Sequence, residues 1–234
     1  MTPALPAREP ALALDELLEH STWFPQISAQ ARQQVRADVC ERAIALGESL
    51  GHYGETQRFW FGVLEGLLKW SITDRDGRTV SLGGQSVGSW FGEGTLLRGL
   101  PRQADLIALR HSRVAMIPFE TFDWLRRTEP AFNEFLLRQI NERLHWFMGN
   151  FAAHRLLDTD SLVARALVGM MHPLLHPRGE RLLHISQEEL ANLTAVSRQR
   201  CNSALLRLQA DGLIRLEYGA VVIVDLARLQ RLAD

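Results

Sequence analysis

The segment from Ile185 to Val224 constrains this chain more than any other. Ser186 stands three residues before Glu189, the spacing of a capping box: the serine hydroxyl takes the Glu189 amide and the Glu189 carboxylate returns the bond. Leu190, Val196, Cys201 and Leu205 have the spacing of two short helices packed across a tight turn, with Ala191 small enough for close approach at the crossing. Ser197 is the expected N-cap of the second helix, which runs from Arg198 to about Ala210. On that helix Cys201, Leu205 and Leu208 fall at i, i+4 and i+7 and face inward, while Arg198, Gln199, Asn202 and Ser203 fall on the outward face near its start. Asp211-Gly212 ends it. Leu213–Leu216, a Tyr218-Gly219 turn and Val221–Val224 then read as a hairpin wing. Between Val196 and Arg215, four arginines (198, 200, 207 and 215) stand against one acid, Asp211, a local charge of +3 in a chain of net charge -1. A capped helix-turn-helix with a wing sets the N-terminal part of its second helix in the major groove of DNA. The residues expected at that interface are Ser186, Gln187, Ser197, Arg198, Gln199, Arg200, Asn202 and Ser203.

Composition narrows the rest. With 234 residues, 46% of them hydrophobic, the chain can fill one large or two small cores. Lys+Arg of 26 against Asp+Glu of 27 excludes a globally basic nucleic-acid coat and an acidic disordered tail, but not a local basic patch. Cys40 and Cys201 are too few for a disulfide framework or a four-thiolate cluster. No apolar run approaches the ~20 residues of a membrane span, and the N-terminus has no cationic stretch followed by an apolar one. The expectation is a soluble, reduced, cytoplasmic protein without membrane contact. Residues 1–10 carry three prolines and are expected to be poorly ordered.

Leu12, Leu14, Leu17 and Leu18 predict a short helix, and Ala29–Val39 a second. From Glu41 to Met116 the chain is short-segmented, glycine-punctuated and rich in Val, Ile, Phe and Trp, which predicts strands. Phe59–Leu64 and Gly66–Ile72 are two of these, and Asp74–Arg78 is a hairpin turn before a return strand at Val80–Leu82. Strands at this spacing make a small antiparallel barrel or roll. Phe119–Arg127 is a short helix, and Pro130 opens a long one to about Arg155. Along it Phe132, Leu136, Ile140, Leu144, Phe147 and Phe151 recur at spacings of four or three, widened by Phe135, Leu137 and Met148. That stripe is the expected dimer interface; the alternative is a core helix wholly within one subunit. Ser161–Met171 continues as a helix, and a loop with two prolines follows at 172–179.

Ser197-Arg198-Gln199 within Gln187–Leu206, behind a glycine-rich roll and a long helix, resembles the Crp/Fnr transcription regulators over about residues 15 to 230. Gly47-Glu48 through Gly54 and then Gly62–Gly66 resemble the paired-glycine strands of that family's roll. Phe91–Leu97 with Arg102-Gln103-Ala104 resembles its phosphate-binding cassette, and Glu129-Pro130 the start of its dimer helix. The resemblance implies an α+β fold: an N-terminal antiparallel β-roll like a cyclic-nucleotide-binding domain, a long dimerisation helix, and a C-terminal winged helix-turn-helix. The boundaries are an arm and short helix at 1–20, a sensor at 21–128, the dimer helix at 129–157 and the DNA-binding domain at 158–234. It implies double-stranded DNA, a second copy and RNA polymerase as partners. Arg198 would contact guanine, and Gln199, where many members carry Glu, would pair with adenine.

The resemblance also implies an effector site at Glu93, Gly94, Arg102, Gln103, Phe147 and Met148. Glu93 would accept from a ribose hydroxyl, and Arg102 and the helix start at Gly94–Leu97 would hold a cyclic phosphate. Three departures stand against cyclic AMP. Gln103 replaces a family Ser or Thr and would crowd the phosphate; the cassette is about one residue short; Phe147 and Met148 replace hydroxyl residues that reach the adenine. The expectation is therefore a different effector or a self-filled roll, with a cyclic-AMP gate through Glu93 and Arg102 as the alternative. A second alternative is an effector-binding module acting through a protein partner.

No catalytic residue, metal or cofactor is expected, and the chain is not read as an enzyme. A cupin-like metal oxygenase or a haem sensor would need histidines converging inside the roll, where only His52 and His111 are candidates. His172 and His176 are separated by the helix-breaking Pro173 and read as loop residues. Cys201 reads as a packing residue, and Trp90 and Arg98 flank the cassette without an assigned role.

Overall fold

A computed structural model describes residues 11–77, 79–177 and 181–233, so the N-terminal arm at 1–10, Arg78 of the expected hairpin turn, Arg178 to Glu180 and Asp234 lie outside the described residues. The chain forms two compact units. One holds 11–144 with 174–177, the other 145–173 with 181–233, and the division falls within one long helix.

In the first unit, helices α1 (Leu14–His20) and α2 (Ala29–Asp38) precede the sheets. Ser28 caps α2 by accepting the Ala31 amide at 3.2 Å. The strands are β1 (Cys40–Ile44), β2 (Ser49–Gly51), β3 (Phe59–Glu65), β4 (Leu67–Thr73), β5 (Thr79–Ser86) and β6 (Trp90–Phe91). After the short helix α3 (Glu93–Arg98) come β7 (Asp105–Ala108) and β8 (Ser112–Pro118). They pair as two four-stranded antiparallel sheets, β1-β8-β3-β6 and β2-β7-β4-β5. Gly66 turns β3 into β4 at φ +92°, and a Cβ there would stand 2.2 Å from Ser112 Oγ, so only glycine fits. The β4–β5 hairpin forms where the sequence places it, with Ile72 opposite Val80 and Thr73 opposite Thr79. Trp60 stacks on Trp90 at 4.5 Å, and Trp23 meets both at 5.2 Å, making an aromatic centre with Phe24, Phe122 and Phe132.

Helix α4 (Phe119–Thr128) leads to α5 (Pro130–Leu156), which begins at the expected proline. Its apolar stripe does not face one way. Phe132 and Leu136, expected at a dimer interface, are 0% and 3% exposed and belong to the core of the roll. Steps of four residues rotate about 40° round a helix, so the stripe turns away from the roll as it advances. The exposed members of that stripe are Leu137 (66%), Leu144 (57%), Met148 (63%) and Phe151 (64%), with Phe147 at 40% and Ile140 half-buried beside them.

The second unit continues with α6 (Thr159–Gly169), β9 (Leu182–Leu183), α7 (Gln187–Leu193), α8 (Arg198–Ala210), β10 (Ile214–Glu217), β11 (Ala220–Ile223) and α9 (Leu226–Ala233). Helix α6 starts two residues before the expected Ser161, because Asp158 caps it by accepting the Ser161 amide at 2.9 Å. The wing is a three-stranded sheet, β10-β11-β9; its third strand is two residues long and carries no alternation to read in advance. A separate core closes this unit, built on Val163, Leu167, Leu190, Cys201, Leu205, Leu208 and Ile223. Among the described residues, no helix is long and apolar enough to cross a membrane.

Candidate nucleic-acid interface and sensor cassette

Both halves of the capping box are formed: Ser186 Oγ accepts the Glu189 amide at 3.1 Å, and Glu189 Oε2 accepts the Ser186 amide at 2.8 Å. Buried Thr194 donates its hydroxyl to the Leu190 carbonyl at 2.8 Å, and the Val196 amide donates to the Ala191 carbonyl at 3.1 Å, which sets the tight turn. Ala195 takes the left-handed conformation there, at φ 50°. Ser197 Oγ accepts the Arg200 amide at 3.3 Å and starts α8. The hydroxyls of Ser186 and Ser197 therefore hold helix ends, and Ser203 donates its own back to the Gln199 carbonyl at 3.0 Å.

Arg198, Gln199 and Arg200 stand exposed on the first turn of α8, with Asn202 and Ser203 half-buried behind them and Gln187 half-buried at the start of α7. The four arginines of this region are not equivalent. Arg207 grips Asp160 through two bonds of 2.6 and 2.5 Å, and Arg215 pairs with Glu217 at 2.8 Å. Among the described residues, neither Arg198 nor Arg200 is in an ion pair, so the local positive charge concentrates at the N-terminus of α8. There the helix dipole adds to it. Below that surface, burial pushes the Cys201 thiol up to about 11, so this sulfur is a packing group and not a nucleophile.

In the roll, Gly92 holds φ +100° at the N-cap of α3, where a Cβ would stand 2.3 Å from Gln57 Nε2. This tight turn carries Glu93 inward. One carboxylate oxygen of buried Glu93 lies 3.2 Å from Arg143 Nε, and the other accepts from Trp60 Nε1 at 3.4 Å. The ion pair is oblique: Arg143 Nε makes no aligned hydrogen bond, whereas Nη2 donates to the Trp90 carbonyl at 2.6 Å. The guanidinium also lies 5.1 Å over the Trp70 ring.

Arg102 is buried, packed on Gly51, where a Cβ would stand 2.6 Å from Nε, and 5.4 Å over Phe61. Burial lowers its pKa from the ordinary arginine value, with Glu55 acting in the opposite sense. Among the described residues no carboxylate is within ion-pair distance of it. On β4 and β5, Ser71 Oγ and Gln85 Oε1 are buried without hydrogen-bond partners among the described residues.

The remaining effector candidates of this unit, Gln103 and Gly94, are not buried with Glu93 and Arg102. Gln103 is exposed and donates to the Pro101 carbonyl at 3.2 Å, so it does not crowd a phosphate beside Arg102. Gly94 is exposed, with nothing within 4 Å of a Cβ built on it. Phe147 and Met148, which belong to the other unit, are exposed on α5. His52 and His111 are exposed, so neither points into the roll, and His176 bonds Ser86 Oγ at 2.9 Å. Among the described residues, no three His, Cys, Asp or Glu side chains are grouped to hold a metal ion.

Arg143 is the residue the sequence reading missed. Its signal was present: Phe132, Leu136, Gln139 and Arg143 follow one another at spacings of four, three and four, continuing the inward face with an arginine where an apolar residue would be ordinary.

Two family models cover most of the chain: a cyclic nucleotide-binding domain over residues 41–129 and a Crp-like helix-turn-helix domain over 162–232. A CRP-like cAMP-activated global transcriptional regulator of Mycobacterium tuberculosis is 26% identical over 223 residues, 94% of this chain and all of the relative. Among solved structures, FixK2 of Bradyrhizobium japonicum shares the fold at a TM-score of 0.72 with 15% identity, covering 84% of this chain and 98% of that one. The c-di-GMP responsive global regulator CLP of Xanthomonas campestris matches at a TM-score of 0.61 with 24% identity, over 84% of this chain and 99% of that one.

Proposed function

We infer the function from one premise: the chain belongs to the Crp/Fnr family of transcription regulators. It is a DNA-binding regulator, and in our reading it acts in the cytoplasm as a homodimer, with RNA polymerase as a further partner. Residues 21–128 serve as the sensor, 129–157 as the dimer helix and 158–234 as the DNA-binding head. Two copies of α8 read half-sites one helical turn, ~34 Å, apart. The observation that carries this reading is the first turn of α8, where Arg198, Gln199 and Arg200 stand exposed over a doubly capped helix-turn-helix. Arg198 forks onto a guanine and Gln199 onto an adenine, while Arg200 neutralises a phosphate.

The test is enrichment of sites from a pool of random duplexes by the purified protein, followed by Arg198→Ala. Enrichment of a palindrome is expected, with Arg198→Ala weakening binding by ~1–3 kcal/mol and relaxing choice at one base pair. Absence of any enriched site, or an Arg198→Ala variant as tight and selective as the wild type, would overturn the assignment.

The sensor in our reading takes an effector other than cyclic AMP. Supporting this, Glu93 is already engaged by Arg143 and Trp60, and Gln103 is turned outward. A cyclic-AMP gate is the second reading. It is favoured by buried Arg102, a guanidinium with no carboxylate at ion-pair distance among the described residues, and by the mycobacterial relative's name. Calorimetric titration with cyclic AMP decides between them: micromolar binding establishes the gate, and no heat at two temperatures retires it.

A further inference from the structure

The C-terminal turns of α5 hold α6 through two contacts built on glycine. Arg165 of α6 donates from Nε to Asn150 Oδ1 at 2.9 Å, and its guanidinium lies over Gly149, where a Cβ would stand 2.2 Å from Nη2. Trp146, one turn earlier, presses on Gly169, where a Cβ would stand 2.7 Å from the indole nitrogen. Arg165 also donates from Nη1 to the Ala233 carbonyl at 3.1 Å, so one guanidinium ties α5, α6 and the end of α9. A glycine in the middle of a long helix is unfavourable to the helix itself; at 149 it is explained by the room the guanidinium occupies. The recognition helix is fastened to the same element, since Arg207 of α8 grips Asp160 in the first turn of α6.

Helical spacing separates this stripe from the apolar row. Trp146, Gly149, Asn150 and Ala153 fall within an arc of about 100°, while Leu144, Met148 and Phe151 lie on the far side, about 140–200° round from Trp146. A partner helix on the apolar row and a head on the glycine stripe can therefore be held at once.

We propose that Arg165 is a positioning residue for operator recognition: by locking α6, and with it α8, onto α5, it sets the separation of the two recognition helices and so the half-site spacing the dimer accepts. This rests on the homodimeric DNA-binding reading above. Arg165 itself touches no base. Without the lock, each head keeps Arg198 and Gln199 and still reads its half-site, but it is free to swing at Leu157–Asp158.

The informative variant is Gly149→Ala. Its methyl displaces the guanidinium while favouring the helix, so a lost fold and a lost lock separate. Asn150→Ala, which removes the acceptor, is the second variant. The probes are the palindromic duplex enriched by the wild-type protein, versions with one, two or five base pairs added or removed at the centre, and a single half-site. Affinity is measured by fluorescence anisotropy and Tm by calorimetry.

The wild type is expected to prefer its own spacing at least tenfold. Both variants should bring that preference within threefold, with half-site affinity within twofold of wild type and, for Gly149→Ala, an undiminished Tm. An unchanged spacing preference in both variants overturns the proposal, as does a uniform fall in affinity at every spacing, which marks a purely structural role. If the wild type enriches no palindrome, or binds all spacings alike, the dimeric-operator reading falls and takes this proposal with it.

Discussion

Glu93 and Arg143 show what a single pair contributes when both members are withdrawn from solvent. The carboxylate has one guanidinium at 3.2 Å and one indole donor at 3.4 Å, so Arg143→Ala strands it in the roll. Breaking a buried pair from one side costs on the order of 3 kcal/mol, whereas replacing both members by uncharged groups of similar size costs far less. Urea unfolding should accordingly show Arg143→Ala destabilised by about that amount, and Glu93→Gln/Arg143→Met recovering most of it. A loss under about 1 kcal/mol for the single variant would mean that the pair is solvated. Glu93 and Arg102 were legible in the sequence because the Gly-Glu turn and the following arginine lie in one short segment. Arg143 was not, since it meets Glu93 only through the docking of a helix 50 residues away. The outward turn of Gln103 was equally hidden, because the choice between Pro101 and a neighbouring phosphate is made by loop geometry and not by residue type.

At the scale of elements, α5 is the instructive case. Read as spacings of four, its apolar residues form one stripe; folded, that stripe divides into an N-terminal part under the roll and a free row. Leu137, Leu144 and Phe151 are seven residues apart, the repeat that keeps a seam facing a partner helix. Leu144→Glu places a charge at the middle of that row. It should shift the protein from dimer to monomer in sedimentation equilibrium and weaken binding to a palindromic site roughly a hundredfold, the loss expected when two linked contacts become one. A variant still dimeric at micromolar concentration would exclude this row from the interface. The helix-turn-helix was readable to within a residue or two because caps are local: Ser186, Glu189 and Ser197 fix their helix ends with bonds three residues long. Strand β9 was not readable, because two residues paired with a distant hairpin leave no pattern of their own.

The whole molecule carries a net charge of -1, so long-range attraction to DNA is weak and binding depends on where individual cations stand. Of the four arginines between Val196 and Arg215, ion pairing among the described residues commits Arg207 and Arg215 and leaves Arg198 and Arg200 for that purpose. The two free arginines should then separate by salt. Arg200→Ala is expected to lower the slope of log affinity against log salt by about 1 per head at every sequence. Arg198→Ala should chiefly change which sequence is preferred. Anisotropy titrations at several potassium chloride concentrations check both; equal slopes in wild type and Arg200→Ala would remove Arg200 from the phosphate contacts. The change of texture at Pro118 marks where the strands of the roll end, and not the division between the two units, which falls further on within α5. The path of α5 across both units was not legible, since nothing in its sequence marks where one core hands over to the other.

The clustered tryptophans have a photophysical consequence. Trp23, Trp60 and Trp90 sit within about one ring diameter of one another in a dry interior, close enough for excitation to pass between them and for their transitions to couple in circular dichroism. Among the described residues, only one of the three has a hydrogen-bond partner for its indole N–H: Trp60, which donates to Glu93. Displacement of Glu93 should therefore change the emission of the cluster, a readout of the cassette that needs no added dye.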